Sequence, residues 1–340
     1  MSGLVLVTGA TGFIAKHCIA ELIRQGYRVR GTARQPGARA DIARALERAG
    51  IDASWLEVQQ ADLLHDDGWE QALDGCSHVL HVAAPFPIKP PRDHERLLRP
   101  AVDGTLRVLK AATRVGVQRV VLTSSVVACI YPSGTEQSRT YTEADWTDIN
   151  RPDISPYVVA KTRAEQAAWE FVRTTPNAPE LAVINPGFVL GPAFDTDLST
   201  SLEVVKLIAQ GKYPAAPRAG CIVVDVRDVA AAHVAAMTNP NASGERFLAT
   251  SGTISLLDLA RMIAHAVPHV ASRIPRREVP DFLIRALAYF DRSLLAVLPD
   301  LSVHRVCDSS KAQTRLGISF RSPREAATAA AKSLHDLGVV

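Results

Sequence analysis

The sequence predicts an α/β fold, a doubly wound parallel sheet with a smaller, loop-rich C-terminal lobe. Three observations carry that prediction. Short β-branched runs alternate with longer amphipathic stretches from the first residues, the pattern of repeated βαβ units. After about Pro186 the rhythm loosens and prolines crowd in at 192, 214, 217, 268, 275, 280 and 299, as expected of a lobe built largely from turns. The 340 residues, 47% hydrophobic and 21% charged, suffice for roughly two domains around a sizeable core.

Strands are expected at Leu4–Val7, Tyr27–Thr32, Trp55–Val58, His78–Val82, Arg119–Thr123 and Leu181–Ile184, where apolar and β-branched residues run together. Between them, Phe13–Gln25, Asp41–Ala49, Asp93–Val115 and Pro156–Arg173 place apolar residues three and four apart and read as helices. Right-handed crossovers would then wind the sheet in both directions. The Ala-rich stretch 326–332, followed by Leu334, Leu337 and Gly338, predicts an amphipathic terminal helix.

Composition excludes several classes of function. The 38 basic and 35 acidic side chains leave a net charge of +3 without a basic stripe, so a nucleic-acid partner is not expected. Gly and Pro together make up 41 residues, an ordinary share that excludes collagenous or linker-like chain. The five cysteines, at 18, 76, 129, 221 and 307, are odd in number and form no C-x-x-C pair, which fits reduced, buried thiols in a cytoplasmic compartment. No apolar run approaches the ~18 to 20 residues of a membrane span, and Leu4–Val7 is too short for a secretion signal. His265 and His269 are four apart, but Pro268 falls between them, so no metal site is expected. His81, in His-Val-Ala-Ala-Pro, reads as structural.

Chemistry first appears in Thr8-Gly9-Ala10-Thr11-Gly12-Phe13-Ile14-Ala15, where the first strand turns into a helix. Absent side chains let the backbone approach a pyrophosphate, whose charge then faces the helix N-terminus, so Gly9, Thr11, Gly12, Phe13 and Ile14 are assigned to a dinucleotide. A ribose 2′-hydroxyl wants an acid at the end of the second strand, and a 2′-phosphate wants an arginine. No carboxylate occurs there before Asp41, so Arg34 is assigned to the 2′-phosphate of NADPH/NADP+, with Arg39 as a second candidate and a solvated surface arginine as the alternative.

Tyr157 and Lys161 fall on one face of a helix that Ser155 caps and Pro156 begins. A lysine and a helix N-terminus beside Tyr157 are expected to lower its pKa toward neutrality, where a general acid works well. The strand Val120-Val121-Leu122-Thr123-Ser124-Ser125 delivers a hydroxyl in the same chain order.

These motifs together resemble the extended short-chain dehydrogenase/reductase superfamily (the NAD-dependent epimerase/dehydratase group) with its Rossmann-type fold. Within it the chain is most similar to the dihydroflavonol-reductase-like branch, near the NADPH-dependent aldehyde and methylglyoxal reductases that carry alanine at the Ala15 place. Pro100–Thr105, Asn185–Pro192, Val224–Ala230 and Gly244–Phe247 extend the resemblance over nearly the whole chain. It implies that Ser125 bonds a substrate carbonyl, with Ser124 as the fallback, that Tyr157 protonates its oxygen, and that Lys161 also holds the nicotinamide ribose. It also implies cofactor contacts from Asp62 and Leu63, from Ala83, Ala84 and Pro85, from Thr123, and from Pro186, Gly187 and Val189. The plainer readings are an N-cap for Asp62 and a turn for Pro85.

The implied domains interleave, with residues 1–187 plus 222–250 binding the dinucleotide and 188–221 plus 251–340 binding substrate. The substrate is expected to be an aldehyde or ketone, aromatic or bulky, or the matching alcohol. Phe86, Val127, Tyr131 and Phe188 are candidates for its pocket. The 31 residues between Ser125 and Tyr157, with Tyr131, Tyr141 and Trp146, read as a pocket wall or lid. Two other functions are open at this point: a sensor that binds NADP(H) without turnover, and an NAD-linked sugar-nucleotide epimerase or hydroxysteroid dehydrogenase. A monomer or homodimer is expected.

Overall fold

The computed structural model describes residues 3–84, 95–134, 139–290, 294 and 297–340, with the backbone alone at 95–97. The first part of the chain runs β1 (Leu4–Val7), α1 (Phe13–Arg24), β2 (Arg28–Ala33), α2 (Ala38–Arg48), β3 (Leu56–Gln60), α3 (Trp69–Leu73), β4 (Cys76–His81), α4 (Glu95–Val115), β5 (Arg119–Thr123), β6 (Thr140–Tyr141), α5 (Pro156–Thr174) and β7 (Glu180–Pro186). The remainder runs β8 (Phe188–Leu190), α6 (Thr200–Ala209), β9 (Ala216–Pro217), β10 (Gly220–Asp225), α7 (Val226–Thr238), β11 (Arg246–Ala249), β12 (Gly252–Ser255), α8 (Leu256–Ala266), β13 (Glu278–Val279), α9 (Asp281–Leu287), β14 (Val306–Cys307), α10 (Ser310–Leu316) and α11 (Pro323–Asp336).

The main sheet has seven parallel strands in the order β3-β2-β1-β4-β5-β7-β11. Strand order reverses between β1 and β4, the place where folds of this kind hold a ligand crevice at the C-terminal strand ends. Both faces are covered, which is why these strands read as unbroken apolar runs. Along β1, Val5 and Val7 enter one core with Ile19 and Leu22 of α1 and Val229 of α7. Leu6 points the other way, into a core with Trp69, Leu109 of α4 and Ala168 of α5.

The second lobe is built on a three-stranded sheet, β12-β10-β8, in which β10 runs antiparallel to β12 and parallel to β8. The terminal helix α11 begins with a capping box between Ser322 and Glu325 and buries Ala326, Ala327, Ala330, Ala331 and Leu334. The expected span 222–250 therefore divides. Residues 222–225 lie in the small sheet because β10 pairs with β8, whereas β11 pairs with β7 in the main sheet. All five cysteines are free thiols. Among the described residues no helix is long and apolar enough to cross a membrane.

Gly187 marks the crossing between the two sheets. A Cβ there would stand 2.2 Å from the carbonyl oxygen of Ile222, a backbone atom that β10 pairing holds in place. Gly187→Ala is expected to cost about 1 to 3 kcal/mol through overpacking, read as a lower urea midpoint. An unchanged midpoint would contradict this tight crossing.

Candidate active site

The glycine loop is held from both sides. Ala10 N–H donates to the Thr32 carbonyl at 2.8 Å, and Gly9 N–H donates to Thr32 Oγ1 at 3.1 Å. Gly9 adopts φ +66°, and a Cβ on it would come within 2.9 Å of Ala83 Cβ on the neighbouring strand end. Only glycine meets both demands without strain. Ala15 is fully buried, so the methyl at the third position of the motif is accommodated. No side chain caps α1 at Gly12, and Thr11 is exposed. The first N–H groups of such a helix are left for solvent or an anion.

At the end of β2, Arg34 is exposed, and its backbone carbonyl accepts from Gln60 Nε2 at 3.1 Å. Arg39 is committed elsewhere, donating from Nε to the Leu56 carbonyl at 3.1 Å and from Nη2 to the Ala53 carbonyl at 3.5 Å. Asp62 Oδ1 accepts the Leu64 N–H at 3.0 Å, which is the turn-capping role. Leu63 beside it is buried. Ala83 N–H donates to Thr8 Oγ1 at 2.9 Å, and Ala84 is exposed. Pro85 and Phe86 lie outside the described residues.

Thr8 Oγ1 accepts from the Ala83 N–H and is also hydrogen-bonded to His81 Nδ1 at 2.8 Å. Burial, with a smaller push from the Lys161 charge, lowers the His81 pKa to about 3, and the ring is neutral.

Ser155 caps α5, accepting the Val158 N–H at 3.4 Å, and Pro156 opens the helix. Tyr157 therefore sits in the first turn, and its side chain forms a hydrogen bond with Ser125 at the end of β5. One turn further, Lys161 Nζ donates to the Thr123 carbonyl at 3.2 Å. The Ser124 hydroxyl donates to the carboxylate of Glu165. Thr123 Oγ1 donates to His233 Nε2 at 2.7 Å, because His233 Nδ1 gives its proton to the Val229 carbonyl at 2.7 Å.

The electrostatics of Tyr157 differ from the expectation. Burial penalises the phenolate and raises the Tyr157 pKa, and the hydrogen bond from Ser125 offsets this only in part. Burial likewise pushes Lys161 down to about 8, with the Glu165 charge opposing it. The sequence places a lysine and a helix end beside the phenol but carries no measure of how far packing shields them from water.

The connection from Ser125 to Tyr157 is tied down along its described residues. β6 pairs with β14, Tyr141 is fully buried, and the Arg246 guanidinium lies 3.7 Å above the Trp146 ring. Tyr131 is only 5% exposed, and its hydroxyl donates to Asp300 Oδ1 at 3.0 Å. Tyr131, a candidate from sequence for the pocket wall, thus ties its hydroxyl to the C-terminal segment. Val127 and Phe188 are half-buried, while Pro186 and Val189 are buried beside Gly187. Sequence reasoning missed Glu165, Asn185 and Arg246. The one available signal was an acid a further four residues along from Tyr157 and Lys161.

The seven-stranded parallel sheet with its glycine loop is that of a Rossmann-fold oxidoreductase. A model of the NAD dependent epimerase/dehydratase family matches residues 5–249, and the chain belongs to that family. Cinnamoyl-CoA reductase 1 of Oryza sativa subsp. japonica is 37% identical over 267 residues, covering 78% of this chain and 76% of that protein. Tetraketide alpha-pyrone reductase 1 of Arabidopsis thaliana is 34% identical over 283 residues, covering 81% of this chain and 84% of that one. The crystal structure of yeast methylglyoxal/isovaleraldehyde reductase Gre2 complexed with NADPH matches with a TM-score of 0.80 at 27% identity, over 99% of this chain and 100% of that one.

Proposed function

We propose that this chain is an NADPH-dependent carbonyl reductase that converts an aldehyde or ketone to an alcohol. The observation that carries the reading is the hydrogen bond between Ser125 and Tyr157, with Lys161 one turn away, at the C-terminal end of β5 beside the crevice. The relatives named above are reductases, and the yeast enzyme was crystallised with NADPH.

The residues present fit a dinucleotide phosphate. Gly9 makes a left-handed turn with no room for a Cβ against Ala83, the N-terminus of α1 has no capping side chain, and Arg34 is exposed at the end of β2. Thr11, Gly12, Phe13 and Ile14 would hold the pyrophosphate, and Asp62 and Leu63 the adenine side. Ala83, Ala84, Thr123, Pro186, Gly187 and Val189 would line the nicotinamide side, with Lys161 on the ribose hydroxyls. When bound, the reduced nicotinamide supplies the hydride.

The chain's own groups do the rest. Ser125 donates a hydrogen bond to the carbonyl oxygen, which strengthens as negative charge develops there. Tyr157 gives its phenolic proton to the same oxygen. Its raised pKa keeps that proton in place at neutral pH, so the acid is loaded before each turnover. Lys161 keeps positive charge beside the developing oxyanion. Val127 and Phe188 offer apolar wall to an aromatic or bulky substrate. Tyr131 supports that wall through Thr147, whose hydroxyl accepts the Tyr131 N–H at 3.2 Å and donates to the Val127 carbonyl.

Arg34→Leu tests the cofactor assignment. Charge-assisted hydrogen bonds to a 2′-phosphate predict a KM for NADPH raised about ten- to a hundredfold, with the KM for NADH unmoved. Equal effects on both cofactors would remove Arg34 from the site. Substrate class is ranked by NADPH oxidation with aryl aldehydes, alkyl ketones and diketones, and turnover with aromatic or bulky carbonyls is expected.

A further inference from the structure

Four donors converge on the Glu165 carboxylate, which is 1% exposed. Arg246 Nε reaches Oε1 at 2.6 Å and Trp169 Nε1 reaches it at 3.3 Å. Asn185 Nδ2 reaches Oε2 at 2.8 Å, where the Ser124 hydroxyl also donates. All of these partners give protons, so the group acts as a carboxylate acceptor. Its location is more telling than its burial. Glu165 continues the row of Tyr157 and Lys161 along α5, four residues apart at each step. Ser124 is the chain neighbour of Ser125, and Asn185 also donates to the Ser125 carbonyl at 3.1 Å. The same carboxylate therefore meets both sides of the proposed reaction centre.

Among the described residues Arg246 has no other acid as a partner. Its Nη1 donates to the carbonyls of Glu143 at 2.8 Å and Asp145 at 2.9 Å, its Nη2 approaches Cys129 Sγ at 3.1 Å, and its plane lies on Trp146. These contacts spread over β11, the turn after β5 and the connection to α5, and they fix the guanidinium against which Glu165 is placed.

We propose that Glu165 is a positioning residue, whose Arg246-anchored carboxylate fixes the strand end carrying Ser125 and serves as the counter-charge of Lys161. This rests on the reading of Ser125, Tyr157 and Lys161 as the reacting groups. The other groups facing Lys161 do not supply such a charge. On β5 the Thr123 carbonyl accepts its proton, and on β4 His81 is neutral. His233 on α7, which takes the Thr123 hydroxyl, is neutral with its pKa lowered to about 4. Tyr157 on its own helix is protonated, and α4 brings Leu98, Ala101 and Val102 to this face. The influence of Glu165 on Lys161 is toward the charged form, against the burial that lowers it to about 8.

The test compares wild type, Glu165→Gln and the double variant Glu165→Gln/Arg246→Gln. Glutamine at 165 alone strands a buried guanidinium and is expected to lower stability, and the double variant removes that stranded charge. Two readouts are followed: the pH dependence of kcat with NADPH and an aldehyde, and the titration of Lys161 by NMR of side-chain-labelled lysine, assigned with Lys161→Arg. In both variants the alkaline limb of kcat and the Lys161 titration are expected to move down by about one pH unit or more. Ser124→Ala, which removes a contact but no charge, is expected to lower kcat about tenfold with the alkaline limb unmoved. A double variant that regains stability and also superposes on wild type in both titrations would overturn the proposal, leaving Glu165 a structural ion pair. Retention of turnover by Tyr157→Phe would instead remove the reading of the reacting groups, while the NMR titration would still decide whether Glu165 is the counter-charge.

Discussion

Tyr157→Phe is expected to lower kcat for carbonyl reduction by about a hundred- to ten-thousandfold, the range for removing a positioned general acid. The substitution deletes one oxygen and keeps the ring, which packs against a small cluster of Ala101, Ala160 and Ala164. The fold and cofactor affinity should therefore survive, and KM for NADPH should stay near its original value. Steady-state kinetics beside a melting curve and a cofactor titration separate these quantities. A deficit confined to kcat identifies the phenol as a group that acts in the transition state. Equal loss in cofactor binding would mean that the hydroxyl organises the site rather than serving as the acid.

The second large effect concerns stability in acid. His17, His81 and His233 are buried and neutral, with pKa values lowered to about 4, about 3 and about 4, chiefly by burial. Each has a role that suits the neutral ring. His17 Nε2 meets the Pro192 carbonyl at 2.8 Å, His81 Nδ1 is hydrogen-bonded to Thr8, and His233 joins Thr123 to Val229. In the unfolded chain a histidine binds its proton near pH 6.5, so below that pH the unfolded state holds more protons than the native one. Stability is then full above about pH 6.5 and is lost as pH falls toward the folded values.

While all three titrate, the slope approaches about 4 kcal/mol per pH unit near pH 5. Asp228 and Asp300, whose carboxyls burial raises, act in the opposite sense. Urea midpoints measured from pH 7.5 to 4.5 should be flat at first and then fall steeply. His17→Gln, which keeps a donor for the Pro192 carbonyl, should remove about a third of that slope. Constant stability down to pH 4.5 would contradict the burial of these rings.

What the sequence made legible was whatever its local periodicity encodes. The five strands β1 to β5 and the helices α1 and α5 fall within a residue or two of their expected ends, because β1 and β5 are buried along nearly their whole length and α5 carries its own cap in Ser155 and Pro156. The small sheet escaped, since β8 is three residues long and its partners lie far along the chain. Tyr131 was assigned to a pocket because an aromatic ring in a long connection looks available. Its bond to Asp300 spans 169 positions and leaves no trace in local spacing. Glu165 and Arg246 are separated by 81 positions, and only the stacking of β11 beside β7 brings them together. The meeting of Ser125, Tyr157 and Lys161 was expected from residue types and chain order, whereas their protonation depends on burial, which only the packed structure supplies.

The central claim is that the chain transfers hydride from NADPH to a carbonyl carbon. It is tested most directly by supplying NADPH deuterated at the transferable position together with an aryl aldehyde and examining the alcohol by mass spectrometry and NMR. The account predicts one deuterium on the carbinol carbon, formed by wild type and nearly abolished in Tyr157→Phe. Binding of NADPH with no deuterium delivered to any carbonyl of the panel would contradict it and return the chain to a role of sensing the nucleotide.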